Sequence, residues 1–199
     1  LTEWLKDAAE TGLLAVDTET TGLTPARAKL VGVSLATRAG RACYIPLGHH
    51  AGGDLLQTQP MDGPTQPPVA AMMDVLRPIF ADPAIIKIGH NFKFDMQMFL
   101  PHITDIAPVE DTMLLSYVLD GTAHGNGLDE LAQLMCGHSM ISYDSVTGTG
   151  KGRISFAEVP LTKACDYAAE DADFTLRLYH ILKPRVALDK MAVMYEDIE

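Results

Sequence analysis

The chain is poor in cysteine, tryptophan and basic residues and has no long apolar run, and each shortage removes a class of protein. Cys43, Cys136 and Cys165 are odd in number and widely spaced, with no Cys-x-x-Cys pair. Neither a disulfide framework nor a zinc site is expected, and a reducing cytoplasmic setting fits. No stretch approaches the roughly 18 apolar residues of a membrane helix, so a soluble protein with no membrane partner is expected. Lys and Arg total 15 against 26 Asp and Glu, a net charge of −11, which excludes a broad basic surface that holds duplex DNA by counterion release alone. Any nucleic acid must be gripped locally, partly through bound metal ions. No basic segment followed by an apolar one opens the chain, which begins at Leu1 and reads as a fragment of a longer protein.

What is present is an alternation of strand-like and helix-like segments within 199 residues, the size of one domain spanning 1–199. Thr2–Thr11 has Trp4, Leu5 and Ala8 spaced for one buried helix face. Leu13–Thr18, Leu30–Thr37 and Arg41–Leu47 read as strands, the last two joined by the short hairpin linker Arg38-Ala39-Gly40. Gly48–Pro68 reads as a mobile surface loop. Val69–Ala81 predicts a helix, Ile85–Gly89 a strand, Asn91–Leu100 a helix with Asn91 as its N-cap, and Ala107–Glu110 a short strand. Asp111–Leu119 and Leu128–Cys136 read as helices. Gly137–Pro160 is a long connection whose Gly148-Thr149-Gly150-Lys151-Gly152 lacks the Lys-Ser/Thr of a phosphate-binding P-loop. Two helices, Leu161–Leu182 and Lys183–Glu199, end the chain.

Three short stretches carry the chemistry. Asp17-Thr18-Glu19 ends an apolar strand, and alternation of side chains puts Asp17 and Glu19 on one side. Asn91 and Asp95 are four apart, as are Tyr167 and Asp171, so each pair predicts one helix face with two polar tips. Singly, each has an ordinary explanation: an acidic pair in an acidic chain, a cap beside a solvated carboxylate, an exposed helix pair. Together they suggest a site, because carboxylates at the end of a buried strand are costly unless paired or metal-bound. Carboxylate oxygens are hard ligands that favour Mg²⁺ or Mn²⁺.

These stretches, as Asp17-Thr18-Glu19-Thr20, His90-Asn91-Phe92-Lys93-Phe94-Asp95 and Tyr167-Ala168-Ala169-Glu170-Asp171-Ala172-Asp173, resemble the three motifs of the DEDD exonuclease superfamily in its tyrosine-bearing subclass. Leu30-Val31-Gly32-Val33-Ser34, Tyr44-Ile45-Pro46-Leu47, Asp111 to Leu119 and Leu128-Asp129-Glu130-Leu131-Ala132 extend the likeness over almost the whole chain. Together they resemble the 3′–5′ proofreading domains of bacterial DNA polymerase I, family A. The resemblance implies an α/β, ribonuclease H-like fold with a mixed five-stranded sheet flanked by helices. It also implies a polymerase module in the same parent chain, absent here beyond Tyr195-Glu196-Asp197-Ile198-Glu199, and a monomer acting on single-stranded or frayed DNA 3′ ends. A histidine subclass of the superfamily places His where this chain has Asp166.

The roles implied by the resemblance are specific. Asp17, Glu19, Asp95 and Asp171 would hold two divalent metal ions, Mg²⁺ or Mn²⁺, one activating water and one stabilising the leaving 3′ oxygen. Tyr167 would orient the attacking water. Leu23 would wedge against the terminal base, Tyr143 would stack near it, and Thr20 and Asn91 would help hold the terminal nucleotide. His90, where Gln is common, and Asp166, where a basic residue is familiar, depart from the pattern without removing a ligand. An RNA 3′-end exonuclease and a non-catalytic DNA-positioning domain are the alternatives.

Overall fold

The computed structural model describes residues 1–51 and 65–197. Most of the Gly48–Pro68 loop therefore lies outside the described residues. A mixed five-stranded sheet has the order β3-β2-β1-β4-β5. Its strands are β1 (Leu13–Thr20), β2 (Leu30–Arg38), β3 (Arg41–Pro46), β4 (Ile86–Gly89) and β5 (Val109–Asp111). β1 to β3 form an antiparallel meander, and β4 and β5 continue the sheet parallel to β1. This is the mixed five-stranded sheet the sequence led us to expect.

Two cores cover the two faces. Leu14 and Val16 of β1 pack with Val33 and Leu35 against α1 (Thr2–Thr11), α2 (Val69–Phe80) and α3 (Lys93–Phe99). Ala15, Ala36 and Ile88 point the other way, under α4 (Thr112–Asp120) and the long α7 (Leu161–Leu188). The period-two alternation of β1 therefore continues directly into the acidic stretch: Asp17 and Glu19 follow Ala15 on the α7 side, and Thr18 follows Val16 on the α3 side. Ala164, Ala168 and Ala172 are fully buried at four-residue spacing, and their small size lets α7 lie close over the strands.

α7 is fixed by the buried Asp173 and the half-buried Glu170. Asp173 accepts from the Gly40 N–H at the β2–β3 turn, 2.6 Å, and from Arg177 Nε, 2.8 Å. Glu170 accepts from the Ile141 N–H, 2.6 Å, and from His138 Nε2, 2.7 Å, which holds the start of the 137–160 connection against the helix.

Several expected boundaries move. Asn91 is not a helix cap: it has φ 60°, and α3 begins at Lys93 after Phe92. The cause is Asp111, whose carboxylate takes the N–H groups of Asn91 (3.0 Å) and Phe92 (2.7 Å) and so turns the backbone before a helix can start. Asn tolerates the left-handed region better than most residues. Gly89 is needed just upstream, since a Cβ there would come within 2.3 Å of the Phe92 ring. Asp111 itself is the N-cap of α4, accepting from Met113 N at 2.9 Å and Leu114 N at 3.4 Å. The last strand is correspondingly Val109–Asp111, not Ala107–Glu110.

Leu128–Cys136 is a short α5 (Leu128–Leu131) followed by a π turn, Ala132–Cys136. The 137–160 connection carries α6 (Tyr143–Thr147) and two 3-10 turns. α7 does not stop at Leu182 but runs through Pro184 to Leu188; the bond lost by proline faces the exposed His180, where water can replace it. Lys190, at φ 60°, separates α7 from α8 (Ala192–Asp197).

Candidate active site

The end of β1 and one turn of α7 bring three carboxylates together. Oxygens of Asp17, Glu19 and Asp171 all lie within 4.8 Å of one another. Asp95 approaches from α3 on the other side of β1, where its Oδ1 accepts from the Thr18 N–H at 2.9 Å and from Thr18 Oγ1 at 2.5 Å. Among the described residues its Oδ2 has no protein donor.

The electrostatics are those of crowded, buried acid. Burial pushes the Asp17 carboxyl up to about 6, against a bond from Thr18 that lowers it. Burial first, then the charges of Asp17, Asp171 and Asp95, raises Glu19 well above the ordinary range. Asp95 and Asp171 are raised in the same way, by burial and then by Asp17. Among the described residues none of these four makes an ion pair with Lys or Arg. Unpaired carboxylates of this kind, buried at Glu19 and Asp95 and half-buried at Asp17 and Asp171, are stabilised by a bound cation, and an all-oxygen donor set suits a hard divalent one.

Asp17, Glu19 and Asp171 line a cleft of ≈ 680 Å³ together with Thr20, Leu23, Phe94, Tyr143, Arg153 and Tyr167. Leu23 stands at its mouth with 93% of its surface exposed, unusual for a leucine with no partner to cover it. Thr20 donates its hydroxyl to Gly22 O at 2.8 Å, which leaves its oxygen as an acceptor. Tyr143 packs edge-on to Tyr167, with ring centroids 6.1 Å apart, and both rest on the buried Phe156. Burial, then the charges of Asp171, Glu19 and Asp17, raises the Tyr167 phenol far above its ordinary value, so it stays protonated and can donate a hydrogen bond but cannot serve as a base. Asn91 and Asp95 are the exceptions among the expected residues: Asn91 is half-buried beside Asp111, Asp95 is buried against Thr18, and neither is among those lining the cleft.

Sequence reasoning missed three contributors. Phe156 supports both tyrosines. Tyr44, on β3, lies across Gly32, the partner of Glu19 in the β1–β2 ladder, and bonds His49 Nε2 at 2.7 Å; a Cβ on Gly32 would come within 2.1 Å of its hydroxyl. Arg153 follows the glycine-rich stretch and is the one cation among the described residues lining the cleft. The only signals were a glycine opposite an acid and a lone Arg after the glycines, neither of which stands out without coordinates.

A strand-end acid pair, a helix-borne Tyr and Asp four apart, and a fourth acid from a neighbouring helix, set on a mixed sheet, define the class: a nuclease of the ribonuclease H-like fold whose clustered acids could hold a metal ion. Comparison with known proteins narrows it. Residues 1–187 match a family model described as 3′-5′ exonuclease, and the chain belongs to that family. It is 40% identical over 209 residues to DNA polymerase I of Rhizobium leguminosarum, covering 100% of this chain and 20% of the relative. It is 38% identical over 200 residues to DNA polymerase I of Pseudomonas aeruginosa, covering 98% and 21%. The chain thus spans about a fifth of the length of these curated relatives. Among solved structures, Brucella melitensis NrnC bound to pGG superposes with a TM-score of 0.68 at 24% identity, over 96% of this chain and 80% of that one, which shows a shared fold. No helix among the described residues is long and apolar enough to cross a membrane.

Proposed function

We propose that the chain is the proofreading part of a bacterial, cytoplasmic DNA polymerase I, one 1–199 unit of a longer single chain, and that it hydrolyses the terminal phosphodiester at the 3′ end of single-stranded or frayed DNA. The observation that carries this reading is the convergence of Asp17, Glu19 and Asp171 within 4.8 Å in a chain of this family.

Asp17, Glu19 and Asp171 would hold one divalent cation, and Asp95 together with Asp17 would serve a second. When bound, such ions lower the pKa of a coordinated water and neutralise charge on the phosphate. The remaining work falls to the side chains. Tyr167, kept protonated, donates to the attacking water and fixes its direction. Glu19, on the same face, accepts from that water and orients it from the other side. Leu23 wedges against the terminal base and Tyr143 presents its ring to it, a contact of roughly 1–3 kcal/mol per base that is indifferent to sequence. That indifference suits proofreading, where a mismatched end is selected because it frays.

Matched 5′-labelled DNA and RNA single strands test the substrate class. Faster shortening of DNA from the 3′ end supports the reading; equal or faster shortening of RNA would move it to an RNA 3′-end exonuclease.

A further inference from the structure

Cation and anion are unevenly placed in the cleft. Its lining carries Asp17, Glu19 and Asp171 beside Tyr167, while Arg153, the sole cation among its described lining residues in a chain of net charge −11, stands beside Tyr143. A nucleic-acid strand needs positive charge along its length, and bound metal can supply it only at the clustered carboxylates. Arg153 is also built into place. The glycine-rich stretch closes on itself through Ile154 N to Thr147 O, 2.9 Å, and Arg153 N to Gly150 O, 3.3 Å. Gly148 at φ 79° and Gly150 at φ 60° permit that turn. The guanidinium is then held by three contacts: Nη2 to Asp144 Oδ1, Nε to Gly148 O at 3.2 Å, and its Cζ over the Tyr143 ring, 5.7 Å from the centroid.

Those contacts use Nε and one hydrogen of Nη2. Among the described residues Nη1 meets no protein acceptor, and the side chain is 46% exposed. A guanidinium presents five donors in a rigid fork suited to phosphate oxygens. An ordinary surface ion pair with Asp144 would account for the first contact. It would not account for the cation–ring contact with Tyr143 or for the place in the cleft wall.

We propose that Arg153 is a substrate-binding residue that donates through Nη1 to a non-bridging phosphate oxygen of the strand, at a linkage 5′ of the one being cut. This rests on the nuclease reading and adds the polarity of the cleft to it: the 3′ end lies at the carboxylates and the strand leaves past Tyr143 and Arg153.

The test uses 5′-labelled single-stranded DNA in which one linkage at a time is made neutral as a methylphosphonate, with wild type, Arg153→Gln and Arg153→Lys compared. Arg153→Gln should raise KM about tenfold, the scale of one charge-assisted contact, with kcat changed less than twofold. It should also lower the slope of log KM against log salt by about 0.7, one phosphate's share for a single strand. Arg153→Lys should keep that slope. In wild type one linkage near the 3′ end should be costly to neutralise, and in Arg153→Gln the same linkage should cost nothing further. An unchanged KM and salt slope in Arg153→Gln, or an identical linkage profile in both proteins, would overturn the assignment while leaving the nuclease reading standing. If Arg153→Gln does not fold, a flat wild-type linkage profile overturns it. Wild type that cuts no 3′ end would remove the nuclease reading and this role with it.

Discussion

Thr18 sits between the two strand carboxylates yet turns away from both, and its N–H and hydroxyl both donate to Asp95 Oδ1. The alternation of β1 thus does two things with three consecutive residues: it aims Asp17 and Glu19 at α7 and uses Thr18 to lock the acid arriving from α3. Thr18→Val keeps the backbone bond and the shape but removes the hydroxyl. Groups that orient metal ligands typically matter by 10–100-fold, so Mn²⁺ affinity or turnover should fall by about that factor. Calorimetric Mn²⁺ titration beside a cleavage assay checks this, and unchanged values in both would show that Asp95 needs no such support.

Tyr167→Phe keeps the ring on Phe156 and removes only the phenol. Turnover should fall on the order of 100-fold while single-stranded DNA affinity stays within about twofold. Fluorescence anisotropy with a labelled strand separates the two effects. A large loss of affinity with little loss of turnover would make Tyr167 a residue that grips the strand.

The crowded carboxylates also predict an unusual pH dependence of stability. Their folded values lie above those of the unfolded chain, so the folded protein holds protons that the unfolded chain releases. Stabilisation from this source is complete below about pH 4 and is lost as pH rises through the folded values, for Asp17 about 6. In chelator, Asp17→Asn should therefore flatten the fall of Tm between about pH 4 and 7. Mg²⁺ should raise the wild-type Tm more at about pH 7.5 than at about pH 5. Thermal melts across that range read both, and a wild type and variant with parallel curves would contradict the electrostatic account.

Lys87 is fully buried in β4, with its ammonium donating to the carbonyls of Asp82 (2.9 Å), Ile85 (2.6 Å) and Ala107 (2.5 Å). It ties the turn before β4 to the one before β5, away from the cleft. Lys87→Met preserves the stem but strands three acceptors, which should cost about 2–3 kcal/mol. Urea denaturation measures the loss, and turnover per folded molecule should be unchanged. A stability loss below about 0.5 kcal/mol would mean that water satisfies those carbonyls.

Much of this was legible before any coordinates. The helix Thr2–Thr11 falls where its apolar spacing put it, and β1 to β3 begin at the expected residues, because those segments have strong local patterns and sharp glycine turns. Asp17, Glu19, Tyr167 and Asp171 could be aimed by periodicity alone. Asn91 could not, since its conformation is set by Asp111, twenty residues away. The break expected between Leu182 and Lys183 is absent, because Tyr179, Leu182 and Val186 hold α7 together by packing under the sheet on both sides of it. Glu170 and Asp173 carried no role in the sequence beyond standing in the third motif, and only the helix phase and the position of Gly40 reveal them as tethers.

The central claim is that the cluster at the end of β1 cuts strands from their 3′ ends with divalent metal. The most direct test is a 5′-labelled single-stranded DNA incubated with wild type and with Asp17→Ala in Mg²⁺ or Mn²⁺, beside a sample in EDTA. A ladder that shortens from the 3′ end with wild type, and is absent with Asp17→Ala and with EDTA, is the expected result. Intact strand in every lane, despite measurable DNA binding by wild type, would contradict the account and leave a domain that only positions DNA.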